Sequence, residues 1–320
     1  MLVPVLLFLL GFICLIRGGD WFVEGAVGVA HRFHLPELLI GATVVSIGTT
    51  LPEVMVSTQA ALRGSAGISY GNAIGSIICN TSLIAALTAA IRPGRVKRSS
   101  LLLPSLFFFL SAAVYVFIAY TSKGFARWQG LCFLGIFLFY MVVSVVHMKK
   151  HPEDIPAEEE EKPRPLWLEF MMLVGGAGLI AVGADLLVDN GTIIARALGV
   201  PESVIGLTMI ALGTSLPELI TAITSLAKGH STLSLGNVIG ANLFNIVLVS
   251  GMAISISPFS IPTERMLFGV SASLLVDIPV MLFVMLILCV PAFIRQKLSR
   301  WQGVLLLATY AGFIVYQFAA

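Results

Sequence analysis

Charged residues and cysteines are both scarce in this sequence. Of its 320 residues, 11% are Asp, Glu, Lys or Arg, while 58% are hydrophobic, and the mean hydropathy is +0.97. This composition excludes a water-soluble domain, because there is too little polar surface to cover the apolar side chains. The four cysteines have no metal-ligand or CxxC spacing, which favours packing roles. A cofactor motif, a nucleophile–base set and a polar domain are also lacking, so neither an enzyme nor a nucleic-acid-binding protein is indicated.

Long apolar runs are what the sequence has in quantity. Runs of about 18 to 25 residues recur along nearly the whole chain, and each is long enough to cross a bilayer as a helix. The sequence therefore predicts an all-α integral membrane protein with about ten transmembrane helices surrounded by lipid. The predicted spans cover residues 1–30, 37–62, 70–90, 101–120, 128–147, 166–190, 202–227, 233–257, 266–290 and 301–319.

One stretch of the sequence occurs twice. Residues 43–53 read TVVSIGTTLPE and residues 208–218 read TMIALGTSLPE; they are followed by GNAIGSIICN, ending at Asn80, and GNVIGANLFN, ending at Asn245. Both pairs are separated by 165 residues, which indicates a duplicated half. Each half has five predicted spans, and an odd number makes the second half enter the membrane from the opposite side. We therefore predict two inverted five-helix repeats, at 1–147 and 166–320.

The segment between the repeats, residues 148–165, is the one long polar stretch. It reads MKKHPEDIPAEEEEKPRP, and its Pro and Glu content predicts a solvated linker. Most lysines and arginines in the predicted turns fall on the side of this linker. Because cytoplasmic loops carry the excess of basic residues, we predict a multi-pass cell-membrane protein with both termini outside and an acidic cytoplasmic linker.

Two glutamates lie in the middle of predicted spans, where an ionised group is normally functional. Glu53 and Glu218 follow Pro52 and Pro217, and proline cannot donate to the helix ladder. Helices 2 and 7 are therefore predicted to break near these prolines and to free backbone carbonyls at bilayer depth. The four spans that carry the repeated motifs contain no Lys or Arg, so a purely structural ion pair lacks its partner. Protonated glutamates in a proton-coupled carrier remain an alternative.

Hydroxyl and amide side chains accompany the glutamates in both halves. With the freed carbonyls they form an all-oxygen set, which suits hard cations such as Ca²⁺ or Na⁺ rather than zinc or copper. The amides could instead serve helix packing, but their symmetric placement favours the ion site. The candidates are Thr49, Thr50, Asn80, Thr214, Ser215 and Asn245. By contrast, Asn72 and Asn237 are interpreted as structural, and Asp20 and Asp185 as solvated or capping residues.

The motifs GTTLPE with GNAIGSIICN, and GTSLPE with GNVIGANLFN, resemble the two alpha-repeats of the cation/calcium antiporter superfamily, most closely its prokaryotic sodium/calcium exchanger branch. The resemblance implies competitive binding of Na⁺ and Ca²⁺ near the membrane centre, exchange by alternating access, and no cofactor. Matching the motifs implies Glu53 and Glu218 as the coordinating acids, Thr49 and Thr214 as backbone and hydroxyl ligands, Ser46 and Ala211 as carbonyl donors, Asn80 as an amide ligand with Asn245 at the equivalent position, and Ser76, Thr50 and Ser215 beside the sites.

The chain departs from the family pattern at two positions. Many members carry Asp where this chain has Asn245, and Ser where it has Ala241. The resemblance associates that Asp with potassium use, so its absence implies an exchanger that does not need K⁺. A Ca²⁺/H⁺ antiporter that uses the same glutamates is the alternative within transport, and a cation channel or a membrane sensor is the alternative outside it. None of these readings requires an oligomer.

Overall fold

The computed structural model describes residues 1–32, 46–94, 96, 98–150, 165–219, 222 and 231–319, and these are almost entirely helical. Segments with π-helical hydrogen bonding lie within several of the helices, and we label them π1 to π4. The elements are α1 Leu2–Arg32, α2 Ser46–Leu62, α3 Ala66–Cys79, π1 Asn80–Ala85, α4 Ala86–Ile91, α5 Arg98–Ser122, α6 Arg127–Lys150, α7 Leu166–Leu198, α8 Glu202–Ile205, π2 Gly206–Ile210, α9 Ala211–Thr214, α10 Ser231–Phe244, π3 Asn245–Val249, α11 Ser250–Ile256, β1 Met266–Leu267, β2 Val270–Ser271, π4 Ser273–Asp277, α12 Ile278–Arg295 and α13 Arg300–Ala319.

Eight helices in the described part of the chain are long and apolar enough to cross a membrane. They correspond to predicted spans 1, 3, 4, 5, 6, 8, 9 and 10. Spans 2 and 7 correspond to shorter helical segments, the 17-residue α2 and the apolar helix Glu202–Thr214. The all-helical membrane fold is confirmed, while the total of ten spans stays a prediction. Most of the linker, residues 151–164, lies outside the described residues.

The two proline-containing motifs have different backbones. In the first half α2 runs from Ser46 to Leu62 with Pro52 inside it, so the predicted break near Pro52 is wrong for the described residues. Proline removes one hydrogen bond, here to the carbonyl of Gly48, and a helix packed on several sides can continue past it. In the second half α9 ends at Thr214, Ser215 is a turn residue, and residues 216–219 are helical again. The predicted break near Pro217 is therefore observed.

Two π-helical segments begin at equivalent residues of the two halves. The first starts at Asn80 and the second at Asn245, and each follows an α-helix without interruption. A π-helical turn has one extra residue per hydrogen-bonded ring, and such turns occur mostly at functional sites. The sequence analysis did not predict these segments, although it selected both asparagines.

Helices α1 and α7 pack closely because glycines face each other where they cross. A Cβ atom on Gly18 would lie 2.9 Å from the carbonyl oxygen of Gly176, and one on Gly183 would lie 2.8 Å from that of Gly11. Gly18 and Gly183 are separated by 165 residues, and so are Gly11 and Gly176. The contact is therefore made twice with equivalent residues, as a two-fold relation between the halves requires.

The turn between α5 and α6 binds the segment that precedes β1. The backbone N–H of Phe125 donates to the carbonyl of Phe259 at 2.8 Å, and that of Ile261 donates to Lys123 at 3.0 Å. At the other end of α5, the N–H of Leu298 donates to Gly94 and that of Val96 donates to Gln296, both at 2.9 Å. The two bond pairs join equivalent positions of the halves, and Lys123 and Gln296 share a positive φ, of 53° and 48°. Since α5 separates these ends by about 37 Å at 1.5 Å per residue, α5 and α12 run antiparallel.

Apolar side chains form two large clusters. One joins α3 to α6 with α10 to α13, and the other joins α1, α2, α7, α8 and π2. A third, small cluster of Val54, Ala73 and Val249 links α2, α3 and π3. These three elements carry Glu53, Ser76 and Asn245, so the predicted site lies where the clusters meet.

Candidate functional site

The candidate site is built by residues of both halves. Glu53 lies on α2, one residue after Pro52, and is 1% exposed. The hydroxyl of Ser215, at the break after α9, donates to Oε1 of Glu53 at 3.4 Å. Thr214 lies beside it and approaches Ser76 of α3, with the two hydroxyl oxygens 3.5 Å apart. The residues that sequence analysis selected from each half are thus brought together.

Asn72 connects these residues. Its Nδ2 donates to the carbonyl of Glu53 at 3.1 Å and to the hydroxyl of Ser57 at 2.9 Å. Its Oδ1 accepts from the hydroxyl of Thr214 at 3.0 Å. A buried asparagine with all these bonds made is rigid, so Asn72 fixes Glu53 of one half against Thr214 of the other. The structural role predicted for Asn72 agrees with these bonds, which place it in direct support of the site.

Several buried polar atoms at the site have no hydrogen-bond partner in the protein. They belong to both glutamates and both asparagines that sequence analysis selected, and Asn80 and Asn245 are at most 1% exposed. Burying such atoms unpaired costs about 1–3 kcal/mol each, so they indicate a ligand. The atoms are Glu53 Oε2, Glu218 Oε1 and Oε2, Asn80 Oδ1 and Nδ2, and Asn245 Oδ1.

The electrostatics of the site are those of two carboxylates without a basic partner on the motif-bearing spans. Glu53 and Glu218 lie close enough to interact electrostatically. Glu218 is half-buried as a residue, yet both its carboxylate oxygens are buried. Arg63, at the end of α2, pairs instead with Asp185 and Asp189 of α7, and all three side chains are partly exposed. Asp185 therefore takes part in a surface ion pair, outside the buried site.

The remaining predicted residues are placed as follows. The carbonyl of Ala211 accepts from the N–H of Ser215 at 3.1 Å and from the hydroxyl of Thr214 at 3.3 Å. Asn245 donates its Nδ2 to the carbonyl of Ala241 at 3.1 Å. Thr50 is buried. Ser46 and Thr49 lie in the first turn of α2, and their side chains fall outside the described part of the structure.

The site is one of oxygen and amide groups. Among the described residues, no three His, Cys, Asp or Glu side chains come together as a metal-binding group. Two carboxylates, several hydroxyls and amide oxygens can replace the hydration shell of a hard cation, because such cations prefer oxygen ligands. The arrangement is therefore suited to Ca²⁺ or Na⁺ rather than to a transition metal.

Sequence analysis missed two buried polar residues outside the selected set. Asn242, on α10, is 0% exposed and donates to Thr81. Asp277, at the end of π4, accepts from Nε2 of Gln317 at 2.8 Å, and Gln317 in turn accepts from Arg265 at 2.9 Å. Neither residue recurs in the other half, where Ile77 and Ala112 stand 165 residues earlier. A search guided by the repeat therefore passes over both.

Comparison with known proteins agrees with this geometry. The profile of the family described as "Sodium/calcium exchanger protein" matches residues 3–146 and again residues 168–319. Inner membrane protein YrbG of Escherichia coli is 36% identical, with 99% of this chain and 96% of YrbG covered. The sodium/calcium exchanger MaX1 of Methanosarcina acetivorans is 28% identical, with 99% of both chains covered.

The fold is also similar to a solved one. A structure of the sodium-calcium exchanger NCX_Mj, soaked with Na⁺ and Sr²⁺, superposes with a TM-score of 0.64 at 34% identity, with 98% of each chain covered. The family profile covers both halves of the chain, and the likeness extends over its full length. The chain belongs to the sodium/calcium exchanger family.

Proposed function

We propose that this protein exchanges Na⁺ for Ca²⁺ across the membrane by alternating access and does not require K⁺. Membership of the family makes it a multi-pass membrane antiporter of the cation/calcium class and not an enzyme. The choice of ions, the absence of K⁺ coupling and the alternating-access mechanism are the proposal. The transported ions are substrates, and no cofactor is involved.

The observation that carries the proposal is the set of buried, unpartnered oxygens on Glu53, Glu218, Asn80 and Asn245. An isolated carboxylate is expensive to bury, and the motif-bearing spans contain no Lys or Arg to neutralise it. A bound cation neutralises the charge and partners the oxygens in one step. The proposed ligands are the residues selected from the sequence, namely Glu53, Glu218, Thr49, Thr214, Asn80, Asn245, Ser46 and Ala211, with Ser76, Thr50 and Ser215 beside them.

Competition between the two ions follows from the shared carboxylates. Glu53 receives a hydrogen bond from Ser215 of the other half, so the halves do not form two independent sites. Ca²⁺ and Na⁺ would both need Glu53 and Glu218 to neutralise their charge. One kind of ion therefore excludes the other, and the carrier moves them in alternation.

The inverted repeat supports alternating access. The antiparallel course of α5 and α12, and the equivalent turn contacts at their two ends, are what two inverted halves would produce. In carriers of this kind a fixed central site is opened to one side or the other as one unit moves against the rest. The glycine-faced pair α1 and α7 is a unit that could move in this way.

The predicted orientation gains support from the grouping of the turns. The turn that carries Arg92 contacts the turn that carries Lys297, and both were predicted to be cytoplasmic. The turn with Lys123 lies at the opposite end of α5, together with the segment that leads to Arg265. We therefore propose termini outside the cell and the linker 148–165 in the cytoplasm.

The charge of the site bears on stoichiometry. With Asn245 neutral, the two glutamates give the site a charge of about −2 when ionised. One Ca²⁺ or two Na⁺ neutralise this charge, whereas a third Na⁺ would leave an excess positive charge. We therefore propose an exchange whose third sodium site is weak or absent.

Radiolabelled calcium uptake into proteoliposomes tests the proposal. Vesicles loaded with Na⁺ are diluted into Na⁺-free, K⁺-free buffer, and uptake is expected only when internal Na⁺ is present. Uptake that ignores Na⁺ but follows an imposed proton gradient would replace the proposal with a Ca²⁺/H⁺ antiporter. Calcium conductance without a counter-ion would replace it with a channel.

A further inference from the structure

A buried hydrogen-bonded bridge joins three helices beside the candidate site. Nδ2 of Asn242, on α10, donates to Oγ1 of Thr81 at 2.7 Å and approaches Sδ of Met285, on α12, at 3.1 Å. Thr81, on π1, donates its hydroxyl to the same sulfur at 3.2 Å. All three side chains are 0% exposed.

The donors of this bridge fix the orientation of the Asn242 amide. Nδ2 carries two hydrogens and Oγ1 of Thr81 carries one, and each has an acceptor within the bridge. With the amide reversed, one donor would face two acceptors. In the observed orientation Oδ1 points away from Thr81 and Met285, and it is buried without a partner. The bridge therefore includes one polar atom that reduces stability.

The other half shows that the helices can pack there without a polar bridge. The residues equivalent to Asn242 and Thr81 are Ile77 and Ile246, and both are 0% exposed. Apolar side chains of similar size thus fill the equivalent positions. Packing alone does not explain why the first of these positions keeps a buried amide with an unpartnered oxygen.

The two site asparagines differ in how their side chains are held. Asn245 is fixed by its own bond to the carbonyl of Ala241 at 3.1 Å. Asn80 makes no such bond, and both polar atoms of its amide are buried without a partner. The position of Asn80 therefore depends on its backbone, at the start of π1. Thr81 is the next residue, and Asn242 holds it.

We propose that Asn242 is a positioning residue for calcium binding, which acts through Thr81 to place the amide of Asn80 in the ion site. The inference rests on the proposed function to the extent that Asn80 is a ligand of the transported cation. Asn242 does not itself contact the ion. Its bridge compensates, on the Asn80 side, for the hydrogen bond that fixes Asn245 on the other.

Calcium binding to the purified protein, measured by titration calorimetry without Na⁺, tests this inference independently of the driving ion. Asn242→Leu and Thr81→Val each remove the bridge at nearly constant volume. Each is expected to weaken calcium affinity by about threefold to tenfold, the equivalent of one or two net hydrogen bonds. Thr88→Val is the matched control, because the hydroxyl of Thr88 is buried in the same span but bonds only to the carbonyl of Ile84. It should leave calcium affinity unchanged.

A double-mutant cycle separates positioning from general helix packing. If Asn242 acts through Asn80, then Asn242→Leu should weaken binding little further in an Asn80→Ala background. An equal loss in both backgrounds would overturn the inference, as would unchanged affinity in Thr81→Val, even if Asn242→Leu fails to fold. Failure of sodium-driven uptake by the wild-type protein would instead count against the proposed function and leave this binding result interpretable.

Discussion

The hydroxyl of Ser215 donates a hydrogen bond to a carboxylate oxygen of Glu53 at 3.4 Å. The two residues belong to different halves of the chain, 162 positions apart. Thr214 and Asn72 make a second bond between the halves at 3.0 Å. The candidate site therefore exists only where the halves meet, and a shift of one half against the other changes the groups offered to an ion.

Replacing either central glutamate should abolish exchange. Glu53→Gln or Glu218→Gln keeps the side-chain size but removes one of the two negative charges that balance the cation. Removing one partner of a buried charge pair costs about 3–5 kcal/mol, which corresponds to at least about a hundredfold weaker binding. Calcium uptake and calorimetric calcium affinity measure the effect. Glu202→Gln, at the start of α8, is the control and should transport normally; normal exchange by both site variants would refute the assignment.

Removing the connecting amide of Asn72 should weaken both folding and binding. Asn72→Leu eliminates the bonds to Glu53, Ser57 and Thr214, each worth about 0.5–1.5 kcal/mol. We expect a loss of about 2–4 kcal/mol in unfolding free energy, with a parallel fall in calcium affinity. Asn190→Leu removes one bond to the carbonyl of Leu186, within the same helix, and should cost less and leave affinity intact. Equal effects of the two variants would contradict the role given to Asn72.

Restoring an acid at Asn245 should change the coupling of the exchanger. The site of the wild-type protein is neutralised by two Na⁺, so we expect exchange that generates no net current. Asn245→Asp adds a third carboxylate beside the other two and should favour a third Na⁺, which makes exchange electrogenic. Currents recorded from proteoliposomes on a solid support measure this directly. A current from the wild-type protein as large as that from Asn245→Asp would rule out the charge argument.

Two neighbouring glycines of α1 should respond in opposite ways to substitution. A Cβ on Gly18 would lie 2.8 Å from the backbone nitrogen of Ile180, whereas one on Gly19 would meet nothing within 4 Å. Gly18→Ala should therefore push α1 from α7 and cost about 1–3 kcal/mol, as overpacking does. Gly19→Ala should be neutral or stabilise by up to about 1 kcal/mol, because alanine favours the helix. Thermal unfolding in detergent distinguishes them, and similar shifts for both would show that the α1–α7 contact is not tight.

The difference between the two proline motifs shows where sequence reasoning stopped. The same residues, Gly-Thr-x-Leu-Pro, predict a break in both halves. The helix breaks at Ser215 but continues through Pro52. Proline removes one hydrogen bond in each case, and neighbouring elements decide whether the helix bends, breaks or continues. That information is not local to the motif.

The polar network around the site was also only partly accessible. The repeat identified Glu53, Glu218, Asn80 and Asn245 because each recurs in register. Asn242 and Thr81 have apolar counterparts, so symmetry gave no signal for them. Asn72 does recur, as Asn237, but a recurring amide looks the same whether it binds an ion or holds a neighbouring carbonyl.

Composition and periodicity by themselves determined that this protein crosses a membrane as helices, since an apolar chain must bond its own backbone in lipid. Duplication by itself determined which residues of the two halves are equivalent, because register survives without any fold. Only the tertiary structure decided which equivalents meet, as Glu53 meets Ser215 and Asn72 meets Thr214. Those contacts depend on how helices distant in sequence cross, and crossing is set by the shape of packed side chains and close glycine contacts rather than by any one segment.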